Sequence, residues 1–317
     1  MLFPVVLFVY NRADHTKQTI DALKNNILAP LTDLYIYSDF PKTNSDIQAV
    51  KEVRCLLHNI NGFKSVTIIE RDRNYGLGKS VIQGVTEILK RHDAVIVLED
   101  DLVTHKDFLT YMNKMLELFH DDPEVFSISG YSLPNMRSIG TEDYYFVPRI
   151  SSWGWGCWKD WWEDLDWDIK KYKQLISDKR ACQLFNCAGN DMLDMLIHQV
   201  EGEAESWAIR FDYNRFIKGN LLTIYPRVSF IKNIGMDGSG VHGENTCKFD
   251  NEFDCKRFIN VQGIEKKYNH DINPLVISEF KNVYKRKFKS IILIYLRRYA
   301  FYNYYKKIYK NVMGLLK

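Results

Sequence analysis

The sequence is that of a sizeable globular protein. Its 317 residues are 46% hydrophobic and 26% charged, which excludes a disordered chain, a collagen-like repeat and a small disulfide-rich scaffold. The six cysteines include no CxxC pair, so we expect no zinc ribbon and a reducing compartment, while a bridge between Cys247 and Cys255 stays open. No apolar run approaches the roughly 20 residues of a membrane-spanning helix, and the first residues lack the pattern of a signal peptide. We therefore expect a soluble or peripheral protein.

The first 150 residues alternate between strand and helix patterns. The predicted strands are Pro4–Tyr10, Leu34–Tyr37, Ser65–Ile69, Ala94–Leu98, Val125–Ser129 and Tyr145–Ile150. The predicted helices are Asp14–Leu28, Ile47–Leu57, 78–91 and Lys106–Phe119. This alternation predicts a doubly wound α/β sheet with helices on both faces. Such sheets bind their ligands at the carboxyl ends of the strands.

The composition changes at Ser151. Six of the seven tryptophans lie between residues 153 and 167, and helical patterns follow over 169–184 and 191–200. A strand pair is predicted at 221–225 and 228–230, before a glycine-rich turn over 235–243. We expect this second half, residues 151–280, to pack onto the sheet formed by residues 1–150 and to complete a single globular unit.

The last 37 residues are strongly basic. Residues 281–317 contain eleven Lys and Arg and no Asp or Glu, so the other 280 residues carry a net charge of −8 within a total of +3. The stretch 291–305 is too short and too charged to span a bilayer, but it suits an amphipathic helix lying on an anionic membrane surface. A solvated helix and a nucleic-acid contact are the alternatives. We expect the membrane and no nucleic-acid partner.

Polar residues follow each of the first four predicted strands. They are Asn11 and Arg12, Ser38 and Asp39, Arg71 and Asp72, and the triad Glu99, Asp100 and Asp101. Three adjacent carboxylates repel one another unless a cation lies among them. Capping of the following helix is the alternative, but a cap needs only one carboxylate. The triad therefore predicts a site for Mg²⁺ or Mn²⁺, ions that carboxylates and phosphates bind together.

These motifs, in order, carry a family resemblance. The segments are 7–12, the strand end Ser38-Asp39, Asn74 to Gly78, 97–101 and 233–235. Together they resemble a GT-A type glycosyltransferase, close to bacterial family 2-like enzymes of surface-polysaccharide synthesis. The Glu-Asp-Asp form is also similar to the N-acetylglucosaminyltransferase that initiates hybrid N-glycans. The resemblance covers residues 3–245 and implies a Rossmann-like mixed sheet flanked by helices, with the tail as a further helical segment.

The resemblance implies roles for the strand-end residues. Asp101 would be the metal ligand, while Glu99 and Asp100 would contact the ribose and sugar of a nucleotide-sugar donor. Asp39 would accept a hydrogen bond from the base, which suggests uracil, and Arg12 would lie beside the nucleotide. The donor pocket would include Asn74, Gly78 and Lys79.

Two further functions are implied for the second half. His242, in its Gly-Val-His-Gly setting, would be a second metal ligand, although a surface histidine is the alternative. Glu205, in an acid-then-tryptophan segment, would be the general base for the acceptor hydroxyl, with Asp212 as the reserve. A solvated acidic helix start is the alternative for Glu205.

The tryptophan-rich segment allows two interpretations. Trp153 and Trp155 resemble an acceptor-side loop, in which aromatic faces stack on sugar rings. The remaining tryptophans, Trp158, Trp161 and Trp162 among them, have helical spacing and are expected to be mainly core residues.

The sequence thus predicts an inverting, metal-dependent glycosyltransferase. It would move a sugar from a nucleotide donor to a glycan acceptor. We expect the donor to be a UDP-sugar and the acceptor to be linked to a lipid. We expect it in the cytoplasm, peripheral on the inner face of the membrane. The alternatives are a sugar-phosphate nucleotidyltransferase and a non-catalytic glycan-binding protein at the membrane.

Overall fold

A computed structural model shows a mixed α/β fold. It describes residues 2–238, 246, 248–250 and 260–285. The strands are β1 (Val5–Val9), β2 (Asp33–Ser38), β3 (Ser65–Glu70), β4 (Ala94–Glu99), β5 (Leu102–Thr104), β6 (Val125–Ser129), β7 (Tyr144–Val147), β8 (Trp155–Trp158), β9 (Leu222–Pro226) and β10 (Ile231–Asn233). The α-helices are α1 (Ala13–Lys24), α2 (Ile47–Leu57), α3 (Leu77–Leu89), α4 (Phe108–Leu118), α5 (Lys159–Trp162), α6 (Tyr172–Ser177), α7 (Lys179–Phe185), α8 (Met192–Val200), α9 (Trp207–Ile217) and α10 (Pro274–Val283).

Eight of these strands form one sheet, in the order β3-β2-β1-β4-β8-β6-β9-β7. The first four strands of the order run parallel to one another. β8 is antiparallel to both of its neighbours, β4 and β6. β5 and β10 form a separate antiparallel pair. The predicted α/β fold, a large mixed sheet flanked by helices, is confirmed.

The central strands of the sheet, such as β1 and β4, are buried on both faces. On one side, Leu7 of β1 belongs to the same apolar cluster as Leu23 of α1. On the other side, Phe8 belongs to a cluster with Val81 of α3 and Phe211 of α9. Strands covered on both faces read as continuous apolar runs, which is why β1 and β4 were visible in the sequence. Each such side chain contributes about 1.5–3 kcal/mol when fully buried.

The tryptophan-rich segment differs from its prediction in part. Of the three tryptophans with helical spacing, Trp161 and Trp162 lie in helix α5, but Trp158 ends the strand Trp155–Trp158. It is a strand because it pairs with β4, with Cys157 opposite Val95. The predicted burial is confirmed for Trp158 and Trp162, which are both 2% exposed.

The strand pair predicted over 221–230 is wrong in its second member. Its first member is β9, but 228–230 is not a strand, and the next strand, β10, pairs with the distant β5. The helix predicted over 169–184 is divided into α6 and α7 at Asp178. The Asp178 carboxylate accepts hydrogen bonds from the backbone N–H groups of Arg180 and Ala181 and so caps α7.

The C-terminal helix crosses the expected start of the basic tail. α10 continues to Val283, beyond the boundary expected between residues 280 and 281, and its Phe280 is fully buried. The helix predicted over 291–305 lies outside the described residues. The two predicted halves, residues 1–150 and 151–280, share one sheet, because β8 of the second half lies between β4 and β6 of the first half.

Most of the predicted site residues lie at one edge of the sheet. The carboxyl ends of β1, β2 and β4 meet there, and the antiparallel β8 begins there. The residues after these three strand ends and before β8 are therefore close in space.

Candidate active site

The acidic triad lies at this edge, at the end of β4. Arg12, which follows β1, donates from Nη2 to Oδ1 of Asp100 and, at 2.8 Å, to Oδ2 of Asp101. The backbone N–H of Tyr10 also donates to Asp100, and the Thr19 hydroxyl donates to the Asp100 carbonyl at 2.8 Å. These contacts follow from the parallel register of β1 and β4. Helix capping is excluded for the triad, because β5 intervenes and α4 begins only after Asp107.

The electrostatics of the triad indicate a shortage of positive charge. Burial raises the pKa of Glu99 to about 8, and the Asp101 and Asp100 carboxylates add to this rise, against Arg12 and a hydrogen bond from Trp207. Burial also raises the pKa of Asp100 to about 6, although Arg12 opposes the rise. Burial by itself would lower the pKa of Arg12, but Asp100 and Asp101 raise it above its ordinary value. One guanidinium does not compensate three partly buried carboxylates.

Asp101 also lies against the backbone that follows β10. The short β5–β10 pair brings residues 233–235 against the triad, and the Ile234 N–H donates to the Asp101 carbonyl at 2.9 Å. A Cβ added to Gly235 would overlap Oδ2 of Asp101, so only glycine permits this close approach. The Asp101 side chain remains 15% exposed.

Asp39 organises the loop that precedes α3. Its Oδ1 accepts the N–H of Tyr75 and its Oδ2 accepts the N–H of Gly76, both at 2.9 Å. Asn74 donates its side-chain amide to the Phe40 carbonyl at 2.6 Å. Gly76 has φ +70°, a conformation that favours glycine at the start of the helix. Asp39 is 6% exposed, and its predicted contact with a base stays a prediction.

Other predicted donor residues lie on the first turn of α3. Gly78 is buried, and Lys79 is exposed. A Cβ built on Gly78 would lie 3.3 Å from Cγ and Oε1 of Glu205. The predicted base therefore lies directly beside the predicted donor loop, although the two are far apart in the sequence.

The two candidate bases differ in accessibility. The Glu205 side chain is 50% exposed and lies 3.5 Å from the Arg210 guanidinium. Asp212 is 3% exposed, and its Oδ1 accepts the Ile150 N–H at 3.0 Å and Arg215 Nε at 2.7 Å. The Arg215 side chain is fully buried. This geometry favours Glu205 over Asp212 as the group that can meet an acceptor hydroxyl, and the assignment stays a prediction.

The two predicted acceptor tryptophans lie in different surroundings. Trp153 is partly exposed, and its ring meets those of Tyr131 and Phe249 edge-on at 4.6 and 5.5 Å. Trp155 is 1% exposed and stacks on Trp207 at 4.8 Å. Its burial does not support the predicted contact of Trp155 with an acceptor.

Trp153 lines a cavity of about 160 Å³. Other lining residues are Tyr131, Met192, Asp212 and Tyr284. Tyr131 follows the end of β6, Trp153 precedes β8, and Asp212 lies on α9. The cavity is therefore at the same edge of the sheet as the acidic triad, and four of its lining residues, Tyr131, Trp153, Phe249 and Tyr284, are aromatic.

Three contributors to this region were not predicted. Trp207 hydrogen-bonds to Glu99, and Tyr284 lies 3.8 Å from Arg149, its ring under the guanidinium. Arg71 lies between the rings of Tyr37 and Tyr75, 4.7 Å from each centroid. Arg71 follows β3 directly, so its position at a strand end was the available signal. No comparable local signal marks Tyr284.

Asp101 is the carboxylate at this edge that the resemblance implies as a metal ligand. Among the residues that the structure describes, no group of three or more His, Cys, Asp or Glu side chains is arranged to hold a metal ion. Mg²⁺ commonly takes only one or two protein carboxylates and completes its shell with water and substrate phosphates. Asp101 provides such a carboxylate, and its contact with Arg12 shows that a positive charge fits beside it. The predicted second ligand, His242, lies outside the described residues.

The sequence was also compared with known protein families. The family model described as "Glycosyl transferase family 2" matches residues 5–185, a range that includes Arg12, Asp39 and the acidic triad. The chain belongs to glycosyl transferase family 2. The predicted family is confirmed, and with it the predicted class of enzyme, a glycosyltransferase. The finer resemblance to one N-acetylglucosaminyltransferase and the polysaccharide role are not tested by this match.

Solved structures similar to this family 2 chain include the two that follow. One is the mannosyltransferase PcManGT from Pyrobaculum calidifontis in complex with GDP-Man and Mn²⁺, with 13% identity over 50% of this chain and 46% of that chain, at a TM-score of 0.33. Another is S. aureus TarS 1-349, with 13% identity over 73% of this chain and 60% of that chain, at a TM-score of 0.39. Less than two thirds of each solved protein is covered.

Two other comparisons complete these findings. The search of curated proteins found no match. Within the part of the chain that the structure describes, no helix has the length and apolar character needed to cross a membrane.

Proposed function

We propose that this family 2 protein is an inverting, metal-dependent enzyme that transfers a sugar from a UDP-linked donor to a glycan acceptor. The observation that carries the proposal is the cluster of Arg12, Asp100 and Asp101 beside Glu99 at the carboxyl edge of the sheet. Ligands of open α/β sheets bind at this edge. A charged cluster there suits a diphosphate, whose charge must be balanced on binding and on departure.

The donor would lie along the loop that Asp39 organises. The contacts of Asp39 with Tyr75 and Gly76 hold the loop against the end of β2, which supports a nucleotide pocket formed by Asn74, Gly78 and Lys79. Glu99 and Asp100 would contact the ribose and the sugar. Their hydrogen bonds to Trp207 and Arg12 support this, because they hold both carboxylates in fixed positions.

Asp101 would hold the divalent metal, Mn²⁺ or Mg²⁺, with His242 as the second expected ligand. When bound, this ion supplies positive charge to the leaving diphosphate without proton transfer. The protein's own contribution is to keep the Asp101 carboxylate at the sheet edge, through the Ile234 N–H and the close approach of Gly235.

Glu205 would act as the general base. Its carboxylate takes the proton of the acceptor hydroxyl while that oxygen bonds to the anomeric carbon from the face opposite the diphosphate. The bond from the anomeric carbon to the diphosphate breaks, and the nucleoside diphosphate leaves with the electron pair. The exposed position of Glu205 beside the donor loop supports this role.

The acceptor would be a saccharide bound in the cavity beside Trp153. Aromatic walls suit the apolar faces of sugar rings, and polar groups at the rim suit their hydroxyls. A lipid-linked acceptor is supported by the position of Tyr284, which lines the cavity one residue before the basic stretch continues at Lys285. The tail would thus begin next to the acceptor and would bind the anionic inner face of the cell membrane, in surface-glycan synthesis.

The test is a panel of UDP- and GDP-linked sugars, with hydrolysis measured with and without Mn²⁺. We expect one UDP-sugar to be hydrolysed faster than the others, and EDTA to abolish the reaction. Equal rates with and without the metal, or turnover of GDP-sugars alone, would contradict the proposed donor chemistry.

A further inference from the structure

Arg12 occupies the position where a cation is expected. Its Nη2 contacts both Asp100 and Asp101, and the three side chains are only 19%, 6% and 15% exposed, respectively. An ion pair in such surroundings is stronger than one at the surface, because water screens it less. The guanidinium is therefore held firmly, and its positive charge balances part of the negative charge of Asp100 and Asp101.

The contact involves one particular oxygen of Asp101. Oδ2 accepts from Arg12 at 2.8 Å and also lies against the backbone at Gly235. A second cation on this oxygen would lie within a few ångströms of the guanidinium. At such a distance, positive charges repel strongly where water screens them little. Arg12 and a metal ion therefore compete for Asp101.

Arg12 has other partners available. Its contact with Oδ1 of Asp100 does not involve Asp101. Its Nη1 is buried and has no hydrogen-bond partner among the described residues. A phosphate oxygen is a strong acceptor for such an unused donor. Arg12 can thus leave Asp101 without losing all of its compensation, provided that a phosphate group arrives.

We propose that Arg12 pairs with the Asp101 carboxylate in the metal-free enzyme and so blocks it for a metal ion. Arg12 releases this carboxylate when the metal and the donor diphosphate bind together. This inference rests on the metal-dependent function proposed above. Its consequence is that Mn²⁺ alone binds weakly, whereas Mn²⁺ and UDP each increase the affinity for the other. Arg12 is then a positioning residue that couples metal binding to donor binding.

The test is Mn²⁺ binding itself, followed by the electron paramagnetic resonance signal of free Mn²⁺. Titrations compare the wild type with Arg12→Gln and Arg12→Lys, each with and without UDP. Lys17→Gln is the control, because Lys17 lies on the exposed surface of α1, pairs with Asp21 and does not touch the triad. Circular dichroism establishes that each variant is folded.

Both Arg12 variants should bind Mn²⁺ about tenfold more tightly than the wild type without UDP, in the range of one charge-assisted hydrogen bond. Adding UDP should reduce this difference, and Lys17→Gln should match the wild type. Arg12→Lys keeps the charge but removes the planar guanidinium that reaches both carboxylates, so it separates competition from net charge. If Arg12→Gln does not fold, Arg12→Lys alone decides.

Three results would overturn the inference. Weaker or unchanged Mn²⁺ binding in both variants would mean that Arg12 orients Asp101 for the metal. Tighter binding in Arg12→Gln with wild-type binding in Arg12→Lys would reduce the effect to net charge. If no form binds Mn²⁺, even with UDP, the proposed metal dependence fails as well, so the two failures are distinguishable.

Discussion

The sheet edge with the acidic triad, which is the proposed donor edge, and the cavity beside Trp153, which is the proposed acceptor cavity, are built from different interactions. At the donor edge, charged side chains such as Arg12, Asp39 and Asp100 each contact defined polar partners. Around the cavity, aromatic rings meet rings, as Trp153 does with Tyr131. The first region is specified by a few directional contacts and the second by packing over a larger area. Single substitutions should therefore affect chemistry at the donor edge and affinity or stability around the cavity.

The largest effect is expected at Asp101. Asp101→Ala should abolish transfer and remove the Mn²⁺-dependent part of UDP binding, because the carboxylate proposed to hold the cation is lost. Calorimetric titration of UDP with and without Mn²⁺, together with a hydrolysis assay, measures both effects. Near-normal turnover in this variant would show that the donor edge does not work through Asp101.

Glu205 tests the connection between the two regions. Glu205→Gln should leave donor binding intact and lower the transfer rate by about 10²–10⁴, the usual contribution of a general base. The comparison variant is Asp212→Asn, which weakens a buried ion pair with Arg215 and should lower stability by up to about 3–5 kcal/mol. A normal rate for Glu205→Gln beside an inactive but stable Asp212→Asn would transfer the role of the base to Asp212.

Two tryptophans test the aromatic region. Trp153→Ala should raise the acceptor KM about tenfold, which corresponds to about 1.4 kcal/mol of binding, with little change in the melting temperature, since Trp153 is partly exposed at the cavity. Trp155→Ala should instead destabilise the fold by about 3–5 kcal/mol, because it empties a buried core position. Thermal unfolding and acceptor kinetics on both variants measure this contrast. A large change in KM without destabilisation for Trp155→Ala would restore its predicted acceptor contact.

The smallest effect on chemistry is expected from removing the basic tail. A chain ending at Lys285 keeps α10 and Tyr284 and should hydrolyse UDP-sugar at the full-length rate. Its binding to anionic liposomes should be lost, and binding of the full chain should weaken with salt, since charges are screened beyond about 10 Å at 0.1 M. Liposome sedimentation at two salt concentrations provides the measurement. Full-length protein that ignores anionic liposomes at low salt would contradict the membrane proposal.

The sequence predicted the first half of the fold well and the second half less well. Up to α4 the helices and the longer strands lie where apolar periodicity indicated, because buried parallel strands and amphipathic helices have local signals. β5 and β8 are short, and they form through pairing with β10 and β4, which no local pattern reveals. α9 was missed since its buried face includes Asp212, Asn214 and Arg215, which interrupt an apolar stripe.

The sequence predicted which residues lie at the candidate site, but it did not predict which of them contact one another. The strand-end rule found Arg12, Asp39 and Asp101, because every polar strand ending at this edge is close to the others. That Arg12 pairs with Asp101 depends on the register that sets Phe8 opposite Glu99. The burial of Trp155 likewise depends on the pairing of β8. Register is a long-range property, so alternation of residues along one strand does not determine it.

The central position of β8 bears on how this chain can be divided or recombined. A protein ending near residue 150 would leave β4 and β6 without the strand between them, and both would present unpaired apolar edges of the kind that promotes aggregation. Exchange of a donor-binding half for that of a relative would therefore need its crossover after Trp158, beyond β8. The same strand order affects folding during synthesis. The eight-stranded sheet cannot form on the ribosome until the residues of β8, and later those of β9, have emerged.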